Sequence, residues 1–403
     1  MKFVSLNEEE FRTFADHHPL KSFVQTPEMA KLKQEQGWDI YYVGVKEKDQ
    51  IIAATLMMSN GNFFGKKMFY APNGFLIDYQ DSDLLSFFTK EIKHYIDQHH
   101  GYTLVIDPYL PLRERDINGD LVPNGFDHRP IISALEKLGY HYRGTSSQVK
   151  YMFALDVAGK TEEELMKDMR PNTRNLIRKT LKPGFVIKEL SYNEINTFKE
   201  LTEETSNRKH FSDKSLNYYQ RMYELFHDRG ELKYMIVELH FDQYITGLNQ
   251  ELKDEWERYE KISVKSVGKK KEAENRIRLL EEKKEEAISL QKEKGNMLVL
   301  SGGMFMLYGD EVLYLFSGNY KEYMQFNAQY RIQWEMIQFA LKHGYQRYNF
   351  YGILSTDKNH PEYGVYEFKK GFNGYVIELI GEFELKINWF YDLRKGIKKL
   401  FHR

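Results

Sequence analysis

The sequence contains no cysteine, and only ten of its 403 residues are proline. Without cysteine, a thiol nucleophile, a disulfide framework and a cysteine-ligated metal site are all excluded. No apolar run approaches the roughly 20 residues that a membrane-spanning helix needs. The first residues lead into acidic Glu8–Glu10 rather than into the basic start and apolar stretch of a signal peptide. We therefore expect a cytoplasmic protein.

Familiar catalytic motifs are missing as well. The sequence has no G-x-S-x-G elbow, no H-E-x-x-H, no Walker loop and no G-x-G-x-x-G. Hydrolases, metalloproteases, kinases and dinucleotide-binding enzymes that depend on these motifs are therefore excluded. The 13 histidines are scattered, and pairs such as His17-His18 point to different faces of regular structure. We predict neither a metal site nor a bound cofactor.

What the chain does contain is a large apolar and aromatic fraction, 41% and 15% of its residues, with 58 basic against 59 acidic side chains. This composition predicts a globular protein, and its length favours two domains. Strand-like and helical patterns alternate along both halves, which indicates an α+β fold. The predicted parts are a first lobe at 1–150, a second lobe at 151–240 and 297–385, a helical hairpin at 241–296 and a C-terminal helix at 386–403.

The hairpin is predicted from residues 251–294, which are densely charged and contain no proline and one glycine. Apolar residues keep heptad spacing on both sides of a break at Gly268, so two helices should pair as an antiparallel coiled coil about 30 Å long. Lys284 and Gln291 occupy core positions, and this weak seam favours pairing within one chain. The pattern is compatible with a spacer or dimerisation arm and with an arm that holds nucleic acid.

Three arginines are spaced four residues apart, at Arg170, Arg174 and Arg178, and Lys179 follows them directly. On a helix this spacing places the guanidinium groups on one face, where phosphate is a natural partner. The alternative is a solvated helix face that pairs with the acidic run Glu162–Glu164.

Two further positions could carry chemistry. The segment Gly364–Asn373 places Lys369 and Lys370 between aromatic residues and before a glycine. A lysine in a partly desolvated groove can bind phosphate or stabilise developing negative charge, although lysines that extend from a strand end to solvent are the alternative. Asp107 follows a buried-looking strand and precedes proline, which is a common place for a site and also for a turn.

The last helix is amphipathic. Leu393, Ile397, Leu400 and Phe401 fall on one face, and Arg394 is among the basic residues that flank it. This pattern suits an anionic membrane surface, so peripheral contact with the cytoplasmic membrane is one expectation. Docking of the helix onto the first lobe is the interpretation that the pattern favours.

Several segments together resemble the Fem aminoacyltransferases, which build the interpeptide bridges of peptidoglycan. The resemblance covers nearly the whole chain and rests on Gln25-Thr26, Gly74–Tyr79, Ile106–Pro111, Ser146–Gln148, Gln333–Ile337, Arg347–Gly352 and Gly364–Asn373. It implies two GCN5-related acetyltransferase-like lobes with the helical hairpin inserted in the second, and it favours tRNA as the partner of the hairpin. Where many relatives have Arg-Gly-Pro, this chain has Asn73-Gly74-Phe75.

The resemblance also implies functional residues. The groove for the peptidoglycan precursor would be lined by Lys33, Asp78, Tyr102, Asp107 and Arg208. The residues at or near the reacting centre would be Phe368, Lys369 and Glu382. The channel would be lined by Tyr314 and Phe316. Within these sets the predicted catalytic residues are Lys369, Asp107 and Phe368, while Lys33 and Arg208 would hold phosphate or carboxylate groups.

An amino acid esterified to tRNA is already activated, so its transfer needs positioning and proton loss more than a covalent enzyme intermediate. We expect transfer of Ala, Ser or Gly to the stem lysine or growing bridge of lipid II or UDP-MurNAc-pentapeptide. Lys369 would stabilise the oxyanion or the tRNA terminus, and Asp107 is the side chain to test as a base. The alternatives are a GCN5-like acyltransferase that uses another acyl donor and a non-catalytic module that binds tRNA or a protein partner.

Overall fold

The computed structural model describes residues 1–144 and 148–401, with side chains left undescribed at 62–63 and 398–401. Ser146 of the predicted motif and the side chains of Leu400 and Phe401 thus lie outside the description. The chain forms two compact units, which comprise Met1–Asp156, Leu307–Leu313 and Asn349–Arg403, and Val157–Met306 and Tyr314–Tyr348. The predicted second lobe ends at residue 385, whereas the chain from Asn349 onward lies in the first unit. The predicted domain boundaries stay a prediction.

The elements up to residue 156 are β1 (Lys2–Ser5), α1 (Glu8–His17), α2 (Pro27–Glu35), β2 (Asp39–Glu47), β3 (Gln50–Phe63), β4 (Lys66–Asn73), α3 (Ser82–Gln98), β5 (Gly101–Pro108), β6 (Pro111–Glu114), α4 (Arg129–Lys137), β7 (Tyr140–Tyr142) and β8 (Tyr151–Asp156). Those that follow are α5 (Glu162–Asp168), α6 (Pro171–Thr180), β9 (Phe185–Glu189), α7 (Ile195–Lys209), α8 (Leu216–Phe226), β10 (Leu232–His240), α9 (Phe241–Glu260), α10 (Val267–Lys294), β11 (Met297–Tyr308), β12 (Glu311–Asn319) and α11 (Ala328–Lys342). The last are β13 (Arg347–Ile353), α12 (Tyr363–Lys370), β14 (Tyr375–Leu379), β15 (Phe383–Lys386) and α13 (Phe390–Phe401).

The first unit is built on a sheet with the strand order β1-β2-β3-β4-β5-β15-β7. Strands β4 and β5 are parallel, because helix α3 connects them, and Pro72 pairs with Asp107 in their register. Helix α3 begins where Asp81 accepts hydrogen bonds from the N–H groups of the first turn, and it buries an apolar face that includes Phe88. Since β4 and β5 run in the same direction, their carboxyl ends meet at one edge of the sheet, and this edge carries Asp107.

Another group of strands in the first unit has the order β6-β14-β8, and all its pairs are antiparallel. Ile377 in the middle of β14 pairs with Glu114 on one side and Met152 on the other. Helix α12 comes directly before β14 in the chain, and Lys369 and Lys370 occupy its last turn. The alternative prediction, that these lysines extend from the end of a strand, is therefore wrong.

The second unit contains strands in the order β12-β11-β10-β9, with β10 antiparallel to both of its neighbours. Helices α7 and α8 pack on β10 through an aromatic cluster. The ring centroids of Phe198 and Tyr234 are 5.0 Å apart, and those of Phe198 and Tyr219 are 5.2 Å apart. Edge-to-face contacts of this kind stabilise a core beyond the apolar area that they bury.

Helices α9 and α10 form the antiparallel hairpin. They contain 20 and 28 residues, which correspond to about 30 and 42 Å of helix. Leu248 on α9 and Ala273, Ile277 and Ala287 on α10 are buried. Together with these apolar residues the seam buries the carboxylate of Glu255. The inserted helical hairpin predicted from the charged, heptad-spaced segment is confirmed.

Candidate functional site

The candidate site in the first unit starts from Asp107 at the end of β5. Its side chain is 3% exposed, and its two oxygens accept hydrogen bonds from the Tyr70 hydroxyl at 2.6 Å and the Asn73 N–H at 2.7 Å. Asn73 adopts a left-handed φ of 52° and donates from its side chain to the Ser22 hydroxyl at 2.8 Å. A buried carboxylate needs such donors in place of water, and here the Tyr70 hydroxyl and the Asn73 N–H fix the direction of the Asp107 side chain at the sheet edge.

Tyr70 extends this network. Burial, and then the charge of Asp107, raise the pKa of Tyr70 well above its usual value. The Tyr70 hydroxyl therefore stays protonated and donates a hydrogen bond to the carboxylate. The side-chain amide of Gln148 donates to the Tyr70 oxygen at 3.2 Å. The order of donation is therefore Gln148 to Tyr70 to Asp107.

A second carboxylate, Glu311, belongs to the same unit and was not predicted. It accepts hydrogen bonds from the Tyr109 hydroxyl at 2.7 Å and from the Asn349 amide at 3.1 Å. The sequence did hold a signal, because Asn349 is a polar residue inside the apolar strand β13 and Tyr109 follows the Asp-Pro pair. Glu311 itself is the first residue of β12, directly after the turn Gly309-Asp310, where nothing in the sequence pattern distinguishes it from a solvated residue.

Tyr351 lies within the electrostatic reach of both carboxylates. Burial raises the pKa of Tyr351 to about 12, and the charges of Asp107 and Glu311 contribute to the shift. Its backbone has a left-handed φ of 60°, a conformation that costs about 1–3 kcal/mol in a non-glycine residue. The N–H of Tyr351 donates to the Asn349 side chain at 2.8 Å, which helps to hold this conformation.

Lys369 is bound to this same part of β13. Its ammonium group donates to the backbone carbonyl oxygens of Tyr351 at 3.2 Å and Gly352 at 2.6 Å, and the residue is 6% exposed. Phe368 beside it is half-buried and packs its ring edge-to-face on Phe372 at 5.5 Å. The structure thus places the Lys369 ammonium group on the backbone of Tyr351, a residue whose phenol lies within electrostatic range of Asp107 and Glu311.

Glu382 is buried and ion-paired. Arg143 donates to its carboxylate at 2.6 Å and reaches Glu384 at 2.8 Å with its other terminal nitrogen. The charge of Glu382 also contributes to the raised pKa of Tyr70, after burial and Asp107, so this residue belongs to the surroundings of the Asp107 network. The predicted position of Glu382 near the reacting centre is consistent with this contact, and its role stays a prediction.

Three other predicted groove residues have different surroundings. Lys33 is half-buried on α2 and donates to the Gln36 side chain at 3.1 Å. Asp78 is exposed in the turn after β4 and accepts from the Gln80 N–H at 2.9 Å. Tyr102 is buried at the start of β5, about 16 Å of strand away from Asp107, where it packs on Phe390 of α13 at 5.8 Å. None of these three contacts involves Lys369.

The predicted residues of the second unit fall into separate places. Arg208 at the end of α7 donates to the Asn319 side chain at 3.0 Å, and its Nε atom is buried without a hydrogen bond among the described residues. On β12, Tyr314 stacks on Phe305 at 5.1 Å, and Phe316 contacts Tyr219 at 5.9 Å. Burial raises the pKa of Tyr314 to about 12. Tyr314 and Phe316, two residues apart, share one face of the strand.

The predicted arginine face of α6 is solvent-facing. Arg170, Arg178 and Lys179 are exposed, while Thr173 and Ile177 form the buried side. Arg174 is half-buried and donates to the Lys167 carbonyl oxygen at 2.8 Å, so positive charge faces solvent at Arg170, just before the first turn of α6, and at Arg178 and Lys179 in its last turn. Two of the acidic residues that were predicted to pair with the arginines have other partners. Glu164 forms the capping box with Thr161, and the Glu162 carboxylate accepts a hydrogen bond from the Gln338 side-chain amide at 2.7 Å.

Within residues 1–144 and 148–401, no three His, Asp or Glu side chains are grouped in a way that could hold a metal ion. In the same part of the chain, no helix has the length and the apolar composition that crossing a bilayer requires.

Comparison with known proteins gives the family. The model of the FemAB family matches residues 6–399. Aminoacyltransferase FemA of Staphylococcus epidermidis is 33% identical to this chain, over 99% of the chain and 100% of the relative, and FemA of Staphylococcus aureus is 32% identical over 96% of both.

A crystal structure of FemX is similar with a TM-score of 0.78 at 24% identity, over 98% of this chain and 99% of that one. The predicted α+β fold with an inserted helical hairpin is confirmed, and the interpretation of its two lobes as GCN5-related acetyltransferase-like stays a prediction. The predicted enzyme class is confirmed too, since these FemA relatives are aminoacyltransferases. The chain belongs to the FemAB family.

Proposed function

We propose that the protein transfers an amino acid from an aminoacyl-tRNA to an amine of a peptidoglycan precursor, either the stem lysine or the end of a growing interpeptide bridge. The observation that carries this proposal is the buried Lys369 ammonium group, held by the Tyr351 and Gly352 carbonyls near the end of β13, where the Tyr351 phenol lies within electrostatic range of Asp107 and Glu311. Membership of a family whose relatives are named aminoacyltransferases supports it.

The chemistry requires a place for negative charge. The acceptor amine attacks the ester carbonyl carbon, a C–N bond forms, and the carbonyl oxygen becomes an oxyanion. When that intermediate collapses, the C–O bond to the tRNA ribose breaks, and the proton lost by the amine balances the one gained by the ribose oxygen. A buried ammonium group is well suited to stabilise the oxyanion, because few waters compete for its hydrogens. Lys369 is assigned this role, with Phe368 packing beside it.

Asp107 has a more restricted role. Its oxygens already accept hydrogen bonds from Tyr70 and Asn73, and a carboxylate stabilised in this way is a weak base. We therefore assign Asp107 to positioning the acceptor amine, which arrives as an ammonium ion and must lose a proton before it attacks. The identity of the base is left to the substrate or to solvent.

The donor and acceptor are tested directly. The purified protein is incubated with tRNAs charged separately with glycine, alanine and serine, and with lipid II or UDP-MurNAc-pentapeptide as acceptor. We expect one charged tRNA to support transfer. Transfer from acetyl-CoA in the absence of tRNA would instead assign a GCN5-like acyltransferase. Binding of tRNA without transfer to either acceptor would leave a non-catalytic module.

We infer peripheral membrane contact from α13. Phe390 and Tyr391 of this helix pack against Tyr102, so the helix docks on the first unit. Trp389 and Leu393, however, are 70% and 44% exposed, while Lys395 pairs with Glu384 at 3.6 Å. An exposed tryptophan and leucine on an amphipathic helix suit a bilayer surface, where a lipid-linked acceptor is found. Co-sedimentation of Trp389→Ser with phosphatidylglycerol vesicles tests this, and binding equal to that of the unchanged protein would contradict it.

A further inference from the structure

The second unit contains a cavity of about 320 Å³ at the base of the helical hairpin. Three lysines reach it, Lys179 and Lys182 from the end of α6 and Lys283 from α10. Two carboxylates, Glu251 and Glu286, also line it. The apolar part of its wall comes from Phe185, Tyr244, Leu248, Leu280 and Phe326.

The two carboxylates do not neutralise the three lysines. Glu251 forms an ion pair with Lys182 at 2.6 Å, and Glu286 accepts a hydrogen bond from Gln325 at 3.2 Å. In the part of the chain that the structure describes, no carboxylate oxygen lies within 4 Å of the ammonium groups of Lys179 and Lys283. Three positive and two negative charges therefore line the cavity, which leaves one positive charge in excess, and among the described residues neither Lys179 nor Lys283 is in direct contact with a carboxylate.

The electrostatic consequence is visible at Lys283. The pKa of Lys283 is lowered, first by burial and then by the charges of Lys179 and Lys182, and these effects outweigh the attraction of Glu251 and Glu286. A site where like charges repel one another in this way gains when an anion enters. A phosphate group, with several acceptor oxygens, can be bound by two lysines at once.

The apolar wall indicates what the anion is attached to. Tyr244 contacts Phe185 at 5.7 Å and Phe326 at 6.1 Å, both edge-to-face, and burial raises its pKa to about 12 so that it remains neutral. Cavities of this size and lining bind small ligands with an aromatic or apolar body and a polar end. Proteins that bind single-stranded RNA combine the same two elements, aromatic rings for the bases and cations for the backbone.

We propose that this cavity binds one unstacked nucleotide of the donor tRNA, with its phosphate between Lys179 and Lys283 and its base against Tyr244 and Phe326. A single small anion would not explain the exposed Arg170 and Arg178 that continue the positive charge from Lys179 along α6, whereas a chain of phosphates does. This proposal rests on the proposed tRNA-dependent function.

The test compares three variants of the full chain in direct binding of uncharged tRNA. Lys283→Gln and Lys179→Gln should each weaken binding at least tenfold, and each should reduce the slope of log K against log salt by about 0.7–0.9, the value for one lost phosphate contact. Lys253→Gln is the matched control, because Lys253 is an exposed lysine on α9 that does not line the cavity. It should change the affinity by less than about twofold.

Transfer kinetics separate this proposal from the proposed function. With Lys283→Gln, the KM for charged tRNA should rise while kcat at saturating tRNA stays near that of the unchanged protein. If the unchanged protein transfers but Lys283→Gln alters neither the tRNA affinity nor the salt slope, the cavity is not an RNA site. Binding of AMP is measured as well. If the unchanged protein binds AMP and Lys283→Gln does not, while both bind tRNA equally well, the cavity binds a free nucleotide and the proposal is overturned. Absence of transfer by the unchanged protein would instead reject the proposed function.

Discussion

The ammonium group of Lys369 lies 2.6 Å from the carbonyl oxygen of Gly352, whose peptide follows the left-handed Tyr351. Carbonyl oxygens that face a buried lysine favour its charged form and fix its direction. Because Tyr351 takes a strained left-handed conformation within β13, the direction of these carbonyls is set by this local irregularity rather than by regular strand geometry. The position of the positive charge therefore depends on the end of β13 as much as on α12.

Replacement of Lys369 by methionine should lower kcat for transfer by about 10²–10³, because this substitution removes the proposed oxyanion partner while keeping a side chain of similar length. Lys370→Met is the matched control. Lys370 is also buried on α12, but it donates to the Asn118 side chain at 2.9 Å. Its kcat should stay within about threefold of that of the unchanged protein. Equal losses of kcat in both variants would mean that transfer depends on the integrity of helix α12 and not on the charge of Lys369.

Replacement of Asp107 by asparagine should lower transfer at least tenfold and the free energy of unfolding by about 1–3 kcal/mol, since an amide cannot accept both hydrogen bonds as the carboxylate does. Tyr70→Phe separates the two effects. It removes one hydrogen bond but keeps the charge, so it should lose comparable stability and much less activity. Steady-state kinetics and urea unfolding measure both. If the two variants lose the same activity, Asp107 acts only by supporting its neighbours.

The site could be predicted only in part from the sequence, and the reason is the distance along the chain between its members. Asp107 and Lys369 stand in unusual local patterns, a carboxylate at a strand end and a lysine among aromatic residues. Their partners do not, because Tyr70 and Glu311 become special only when the fold brings them to the sheet edge. Glu311 looks like an ordinary turn residue until Tyr109 and Asn349 donate to it.

The hairpin should depend on the ion pair between Arg276 and Glu255. Glu255 is buried, and Arg276 donates to it from two nitrogens, at 2.7 and 2.6 Å. Arg276→Ala leaves this carboxylate short of its main partner, so we expect a loss of about 1–3 kcal/mol in the free energy of unfolding. Arg278→Ala breaks the exposed pair with Glu282 and should cost less than about 0.5 kcal/mol. Urea unfolding followed by circular dichroism measures both, and similar values would contradict the distinction.

The hairpin also shows how far a periodic pattern predicts structure. Heptad spacing of Leu248, Ala273 and Ile277 correctly predicted two paired helices, because apolar residues are buried wherever the helical period allows. The same rule passed over Glu255, although it lies seven residues after Leu248. A charged residue can be buried at a core position only when it has a partner such as Arg276. Because that partner is distant in the sequence, the heptad pattern does not reveal the pair.

Acid should destabilise the first unit through His18. Burial lowers the pKa of His18 to about 4, and the charge of Asp78 only partly opposes the shift. Above the unfolded-state pKa of about 6.5 the residue is neutral in both states, so its contribution is fully present. As the pH falls from about 6.5 towards 4, the unfolded chain binds a proton that the folded chain refuses, and the free energy of unfolding decreases by about 1–2 kcal/mol for this half-buried group.

His18→Asn is the variant that isolates this effect. The ring nitrogen of His18 accepts a hydrogen bond from the Leu20 N–H at 3.1 Å, and the asparagine oxygen can accept in its place. Urea unfolding at pH 7 and pH 5 should therefore show a smaller loss of stability for the variant than for the unchanged protein. Since asparagine does not titrate, any acid sensitivity that both proteins share comes from other groups. Identical losses between pH 7 and pH 5 would mean that His18 is protonated in the folded protein as readily as in the unfolded chain.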